Sequence, residues 1–137
     1  MMKACGRLAA LGAYAAALSG CTALAGSGPP VPLQPGVVQF DLRQLDAQGN
    51  RPDAGFQPLT YEFCVPSDPD ATGGVEGIDP TLRCRTGVHG RAGCGADQAT
   101  CVGNTGQPDW RNVLGRLSAV PFVTRIIDTG LPTPPSN

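Results

Sequence analysis

A small α+β domain held by disulfides is the fold class this sequence predicts, with about three strands packed on one helix and long loops between. Three observations predict it. Two segments carry the two-residue period of strands and one carries a helical period. Four cysteines, Cys64, Cys84, Cys94 and Cys101, lie in the middle of the chain. Glycine and proline, 19 and 14 of 137 residues, crowd the intervals between these segments and leave much of the chain as loop.

The elements follow in order. Val37 to Leu42 alternates, with Val38, Phe40 and Leu42 on one face, and reads as a strand. Residues 43–57 hold Gly49-Asn50, Pro52-Asp53 and Gly55, which is turn chemistry. Leu59 to Val65 is the best strand, with Leu59, Tyr61, Phe63 and Val65 on one face and Thr60, Glu62 and Cys64 on the other. Residues 66–107 read as a loop-rich middle with a short helix over Val75 to Ile78. Ser67 to Gly73 faintly resembles a calcium loop, but Pro69 and the missing distal Glu make a plain Asx turn the better reading.

Trp110, Val113, Leu114 and Leu117 then form one apolar stripe at helical spacing. Pro108 fits the first helical turn, and Asp109 complements the helix dipole. Ala119 to Ile127 reads as a last strand, with Pro121 at its start or on an edge. If that strand neighbours 59–65, the two could run parallel through a long crossover. The expected core is Leu59, Tyr61, Phe63, Trp110, Val113, Leu114, Leu117, Phe122 and Ile126.

The start of the chain is of another kind. Lys3 and Arg7 precede an apolar run, Leu8 to Leu18, and then Leu18-Ser19-Gly20-Cys21. That order is a secretory signal. The run is about eleven residues, short of the roughly twenty that cross a bilayer. Its end resembles the lipobox of bacterial lipoproteins. The resemblance implies that the Cys21 thiol carries diacylglycerol, that residues 1–20 are cut away, and that the new amine is acylated, with palmitate-like chains holding the protein to a membrane. Thr22 stands where an Asp would retain such a protein at the inner membrane, so the resemblance implies the outer membrane in a Gram-negative source.

The expected organisation is a signal at 1–20, a lipidated Cys21 with a Pro/Gly-rich tether to 36, a domain over 37–129 and a disordered tail at 130–137. The tether, if extended, reaches about 45 Å. Cysteine parity agrees with this. Cys5 leaves with the signal and Cys21 carries lipid, so four cysteines remain, an even number in an exported chain. Disulfides suit them better than zinc or a redox motif, because no CxxC pair is present. Spacing pairs Cys94 with Cys101 across seven residues, and Cys64 with Cys84 by elimination.

Residues 21–137 hold eight Arg, no Lys and eleven acidic residues, a net charge of −3. That balance argues against nucleic acid as a partner. One cluster departs from it. Arg83, Arg85 and Arg91 lie with His89 in a stretch free of acid from Leu82 to Ala96. Arginine forks bind carboxylate and phosphate, and glycine-rich backbone lets an anion approach. The segment is therefore a candidate surface for an envelope protein or an anionic envelope polymer. The plainer reading is a solvated loop whose arginines pair with Glu62 or Asp79. His89 has no partner motif and reads as solvated, and a Cys-His nucleophile is disfavoured because the thiols are expected to be oxidised. No catalytic set, metal site or cofactor motif stands out. The sequence thus points to a lipid-anchored structural or binding module of the cell envelope, with an accessory subunit of an envelope assembly as the alternative and an enzyme a distant third.

Overall fold

The structure, a computed structural model, describes residues 29–130. The signal, Cys21, the tether as far as residue 28 and the tail beyond Gly130 lie outside them. The described chain is α+β. A short hairpin, β1 (Asn50–Arg51) with β2 (Gln57–Pro58), precedes β3 (Thr60–Pro66), α1 (Pro69–Ile78), β4 (Arg83–Thr86), β5 (Gln98–Asn104), α2 (Trp110–Ser118) and β6 (Ile127–Asp128). The last six elements form one sheet, ordered β4-β5-β3-β6 with every neighbour antiparallel, and two helices. This is the split βαβ arrangement, β-α-β-β-α-β, in which β5 lies between the mutually parallel β3 and β4.

Strand β3 and helix α2 form where the apolar period places them. Tyr61, Phe63 and Val65 point to one side, where they join Val75 of α1 and Val113, Leu114 and Leu117 of α2 in a single buried cluster. Trp110 is buried at the start of α2, and its indole N–H donates to the Ala47 carbonyl at 3.1 Å. The helix begins at Trp110, so Pro108 precedes the cap rather than filling the first turn. Asp109 takes the cap in a left-handed conformation, φ 58°, which a short polar side chain tolerates better than most.

Three expected features differ. The strand over 37–42 is only a parallel bridge between Val38 and Ile126, followed by one 3-10 turn over Leu42–Gln44. Asp41 ends the extended run by accepting the Arg43 N–H, which turns the chain away. The strand over 119–127 shrinks to β6, because residues 120–123 turn at Pro121 and Ile126 is held by Val37 and Gln39. It runs antiparallel to β3, not parallel. Phe122 leaves the core and is 37% exposed on that turn. Leu45, Leu82, Ala99 and Val123 join the core in its place.

The short helix expected over Val75 to Ile78 is the end of a longer one, α1, and strands β4 and β5 stand where loop was expected. Helix α1 opens six residues before Val75. Asp68 caps it by accepting the Ala71 N–H at 2.8 Å, and Pro69 fills the first turn. The Asx geometry of Ser67 to Gly73 is thus a helix start. Strand β5 is central, and its inward residues are small: Ala99, Cys101 and Gly103 lie opposite Val65, Phe63 and Tyr61. At Gly103 a side chain would collide with the Tyr61 ring and the Asp79 carboxylate.

Asp79, fully buried, ties these elements together. Its N–H closes the end of α1 on Val75 O at 3.0 Å. Its Oδ1 accepts from Thr81 N at 2.8 Å, Thr81 Oγ1 at 2.7 Å and Gln107 Nε2 at 2.8 Å, and its Oδ2 accepts from the Tyr61 hydroxyl. Thr81 Oγ1 in turn accepts Asn104 N at 3.0 Å. One carboxylate so joins α1, β3, the approach to β4, the end of β5 and the approach to α2.

Before α2 is reached, the N-terminal strap docks on it. Val31 N donates to Asn112 Oδ1 at 2.9 Å and Gln34 N to Ser118 Oγ at 3.0 Å. Gly115 makes room for the strap, since a side chain there would meet the Val31 carbonyl.

Two tests follow from this packing. Burial, and then the Asp79 charge, push the Tyr61 phenol far above its ordinary range. A raised folded value stabilises the fold below the unfolded tyrosine pKa of about 10 and is lost as pH rises past it. Tyr61 is the one tyrosine of residues 21–137, so in that mature chain tyrosinate absorbance should stay silent until the chain unfolds in alkali; an ordinary titration with the fold intact would contradict this burial. Separately, Gly73 and Gly77 of α1 have open space where a side chain would sit. Their replacement by Ala should each raise stability by about 0.5–1 kcal/mol in denaturant unfolding, the usual helix gain over Gly. A loss of stability would show that the α1 backbone needs those glycines.

Candidate binding surface

The sheet has two faces, and the cysteines use both. Cys84 and Cys101 stand directly opposite one another on β4 and β5, on the helix side, and form one disulfide. Cys64 points the other way from β3 and bonds Cys94 of the β4–β5 connection. The pairs are therefore Cys64–Cys94 and Cys84–Cys101, not the pairs that spacing suggests. Spacing fails here because strand register, not chain distance, decides which cysteines meet.

The second disulfide folds the connection over the face of the sheet that the helices leave bare. Two charged groups complete the clamp at Ala92. Glu62, buried under the loop, accepts the Ala92 N–H at 2.7 Å, and Arg125 donates to the Ala92 carbonyl at 2.5 Å. Gly90, at φ 58°, leaves the space that the Glu62 carboxylate fills. The loop closes on itself through Cys94 N to His89 O at 2.7 Å, and His89 Nδ1 lies 2.8 Å from the Cys94 carbonyl. His89 is thus a bonded turn residue with an exposed ring.

The arginines remain outside this clamp. Arg83 and Arg85 occupy alternate positions of β4, so by strand alternation both stand on the face opposite Cys84. Arg91 lies exposed on the loop. None of the three makes an ion pair among the described residues, whose salt bridges are Arg43–Asp41 and Arg51–Asp128. Glu62 and Asp79, the acids expected to neutralise them, are buried and occupied by Ala92 and by Tyr61, Thr81 and Gln107. Arg83 Nη1 instead donates to the Leu82 and Pro80 carbonyls at 2.7 and 3.3 Å.

Features absent from the sequence reading flank this stretch. A groove of about 550 Å³ runs beside β4 and is lined by Asp68, Thr72, Glu76, Cys84, Thr86 and Val88, among others. Val88 is 44% exposed. The capping Asp68 was the one legible sign of this groove, since it marks the helix that forms its far wall. A smaller pocket of about 390 Å³ lies against Cys64 and Gly93, with Gln39, Gln98 and Arg125 around it. A third, of about 520 Å³, lies between Trp110 and Pro58. None of the three joins His89 to an acid. Among the described residues no group of three His, Cys, Asp or Glu side chains is placed to hold a metal ion.

Comparison with protein-family models, with curated proteins and with solved structures returned no match.

The loop clamp has a measurable consequence. In the loop-entropy relation the 30-residue separation of Cys64 and Cys94 corresponds to about 3.6 kcal/mol, against about 3.1 for the 17-residue separation of Cys84 and Cys101. A Cys64→Ala, Cys94→Ala variant should lose about 3 kcal/mol in chemical unfolding, and hydrogen exchange at Ala92 and Cys94 should speed up before exchange in β3 does. Equal protection in both forms would mean that Glu62 and Arg125 hold the loop without the disulfide.

Proposed function

We propose that this protein is a lipid-anchored, non-catalytic binding module of the cell envelope, seated on the outer membrane in a Gram-negative source. One observation carries the reading. The four cysteines downstream of Cys21 all pair with one another, so the lipobox cysteine has no disulfide partner among them. A thiol left over in an oxidising compartment, at the end of a secretory signal, is the group that lipidation consumes. Paired cysteines on both faces of the sheet also suit an exported domain of this size.

A binding role is favoured over catalysis by what the surface offers. Three arginines with no ion-pair partner among the described residues face outward from a clamped loop and a strand. Rigid presentation lowers the ordering cost of recognition.

Intact-mass measurement of protein extracted from membranes checks the anchor. The mature chain should begin at Cys21 and carry a diacylglyceryl group, with two or more acyl chains giving stable attachment where one would not. Cys21→Ser should release or mislocalise the protein. A soluble mature form with an unmodified Cys21 would overturn the reading.

A further inference from the structure

Resting on that reading, we propose that the outer edge of β4 is a docking site for an acidic, extended segment of an envelope protein, which adds to the sheet as a further strand. Four observations converge on it.

The first is the backbone. Strand β4 is the last in the order β4-β5-β3-β6. Cys84 and Cys101 stand with Cα atoms 4.0 Å apart, the close spacing of a pair that exchanges no main-chain hydrogen bonds. Arg83 and Arg85 are therefore the residues bonded to Val102 and Thr100, and the N–H and C=O groups of Cys84 and Thr86 point outward. The contacts agree: Cys84 N–H reaches outward to Glu76 Oε1 of α1, at a long 3.4 Å. The opposite edge is closed to such pairing. β6 has two residues, and the preceding Ile126 is already bridged to Val37 and Gln39.

The second is space. The 550 Å³ groove lies along this edge, between α1 and β4, with the exposed Val88 at one end. The third is charge. Arg83 and Arg85 repeat at about 6.8 Å, the spacing of alternate side chains on a strand. A strand laid beside them would place every second residue against an arginine. Its intervening residues would face the groove, where Glu76 and Asp68 disfavour further acid and the exposed Val88 favours an apolar side chain. The site selects alternation of acidic with small apolar residues.

The fourth concerns the occupant. Residues 1–40 and 129–137, on either side of the acid-bearing part of the sequence, contain no Asp or Glu, so neither stretch supplies an acidic side chain to this edge. A second copy pairing through its own β4 would set arginine beside arginine, which is unfavourable across a strand pair. The complementary charge comes from a different protein. Glu76 competes for the Cys84 N–H and acts as a gatekeeper that an incoming strand displaces.

The test is fluorescence anisotropy with the full chain in detergent and a labelled peptide of alternating Glu and Val. Binding should saturate and weaken as salt rises. Arg83→Ala with Arg85→Ala should weaken it about fivefold, as two exposed ion pairs of ordinary strength predict. Glu76→Gln should tighten it. A peptide N-methylated at alternate amides, and one with its Glu residues gathered in a block, should both lose binding. Unchanged melting curves show that the variants remain folded. Equal binding of the methylated peptide, or Arg-dependent binding of polyphosphate that displaces the peptide, would overturn strand addition. So would a dimer in light scattering that Arg83→Ala and Arg85→Ala strengthen and the peptide leaves intact. The anchor is read separately: lipidated protein that ignores the peptide defeats the docking proposal alone, and unmodified soluble protein that binds it defeats the anchor alone.

Discussion

Much of this fold depends on a single buried carboxylate. Asp79 ends α1 with its backbone and gathers Tyr61, Thr81 and Gln107 with its side chain. A buried charge without donors is costly, but here both oxygens are engaged by groups that would themselves be stranded without it. The network is thus all or nothing. It sets where α1 stops, where the chain turns into β4, and where the chain leaves β5 for α2. Gly103 belongs to the same constraint, because only a residue without a side chain lets β5 pass beside the Tyr61–Asp79 contact.

The sheet is thin, and the two disulfides compensate from opposite sides. On the helix side Cys84–Cys101 welds the edge strand to the central one. On the bare side Cys64–Cys94 draws the loop down onto β3, where Glu62 and Arg125 hold Ala92 from its two ends. A face that would otherwise expose Thr100 and Glu62 is covered by glycine-rich backbone. The glycines of this stretch therefore serve a packed cover as well as a turn.

What was legible in the sequence follows side-chain size. Tyr61, Phe63 and Trp110 are large, and their periods marked β3 and α2. Strand β5 was not legible because its inward residues are Ala99, Cys101 and Gly103, small to fit against those large ones. The faint signal was the branched pair Thr100 and Val102 alternating with them. Of α1 only the end, Val75 to Ile78, was legible, because glycines interrupt its first turns, although Asp68-Pro69 is a sound helix start. With β5 unseen, the disulfide pairing could not be read, since Cys84 and Cys101 meet only through its register. The arginine segment was legible as composition. That its first two arginines lie on an edge strand, and that Glu62 and Asp79 are engaged elsewhere, was not.

An edge strand has to avoid pairing with copies of itself, and arginine at alternate positions does this by repulsion. Here the same repulsion carries information. A strand defended only against self-association could bear charge of either sign, and its charges would be paired at rest with nearby acids. The acids near β4 are instead committed: Glu62 and Asp79 to the interior, Asp68 to the cap of α1, and Glu76 to the Cys84 N–H. The arginines are left with their fork donors toward solvent or backbone carbonyls. Defence against like edges and selection of an acidic one are then the same arrangement. On the proposed reading, a lipid-held domain with one such edge is suited to catch an extended acidic segment while remaining monomeric without it.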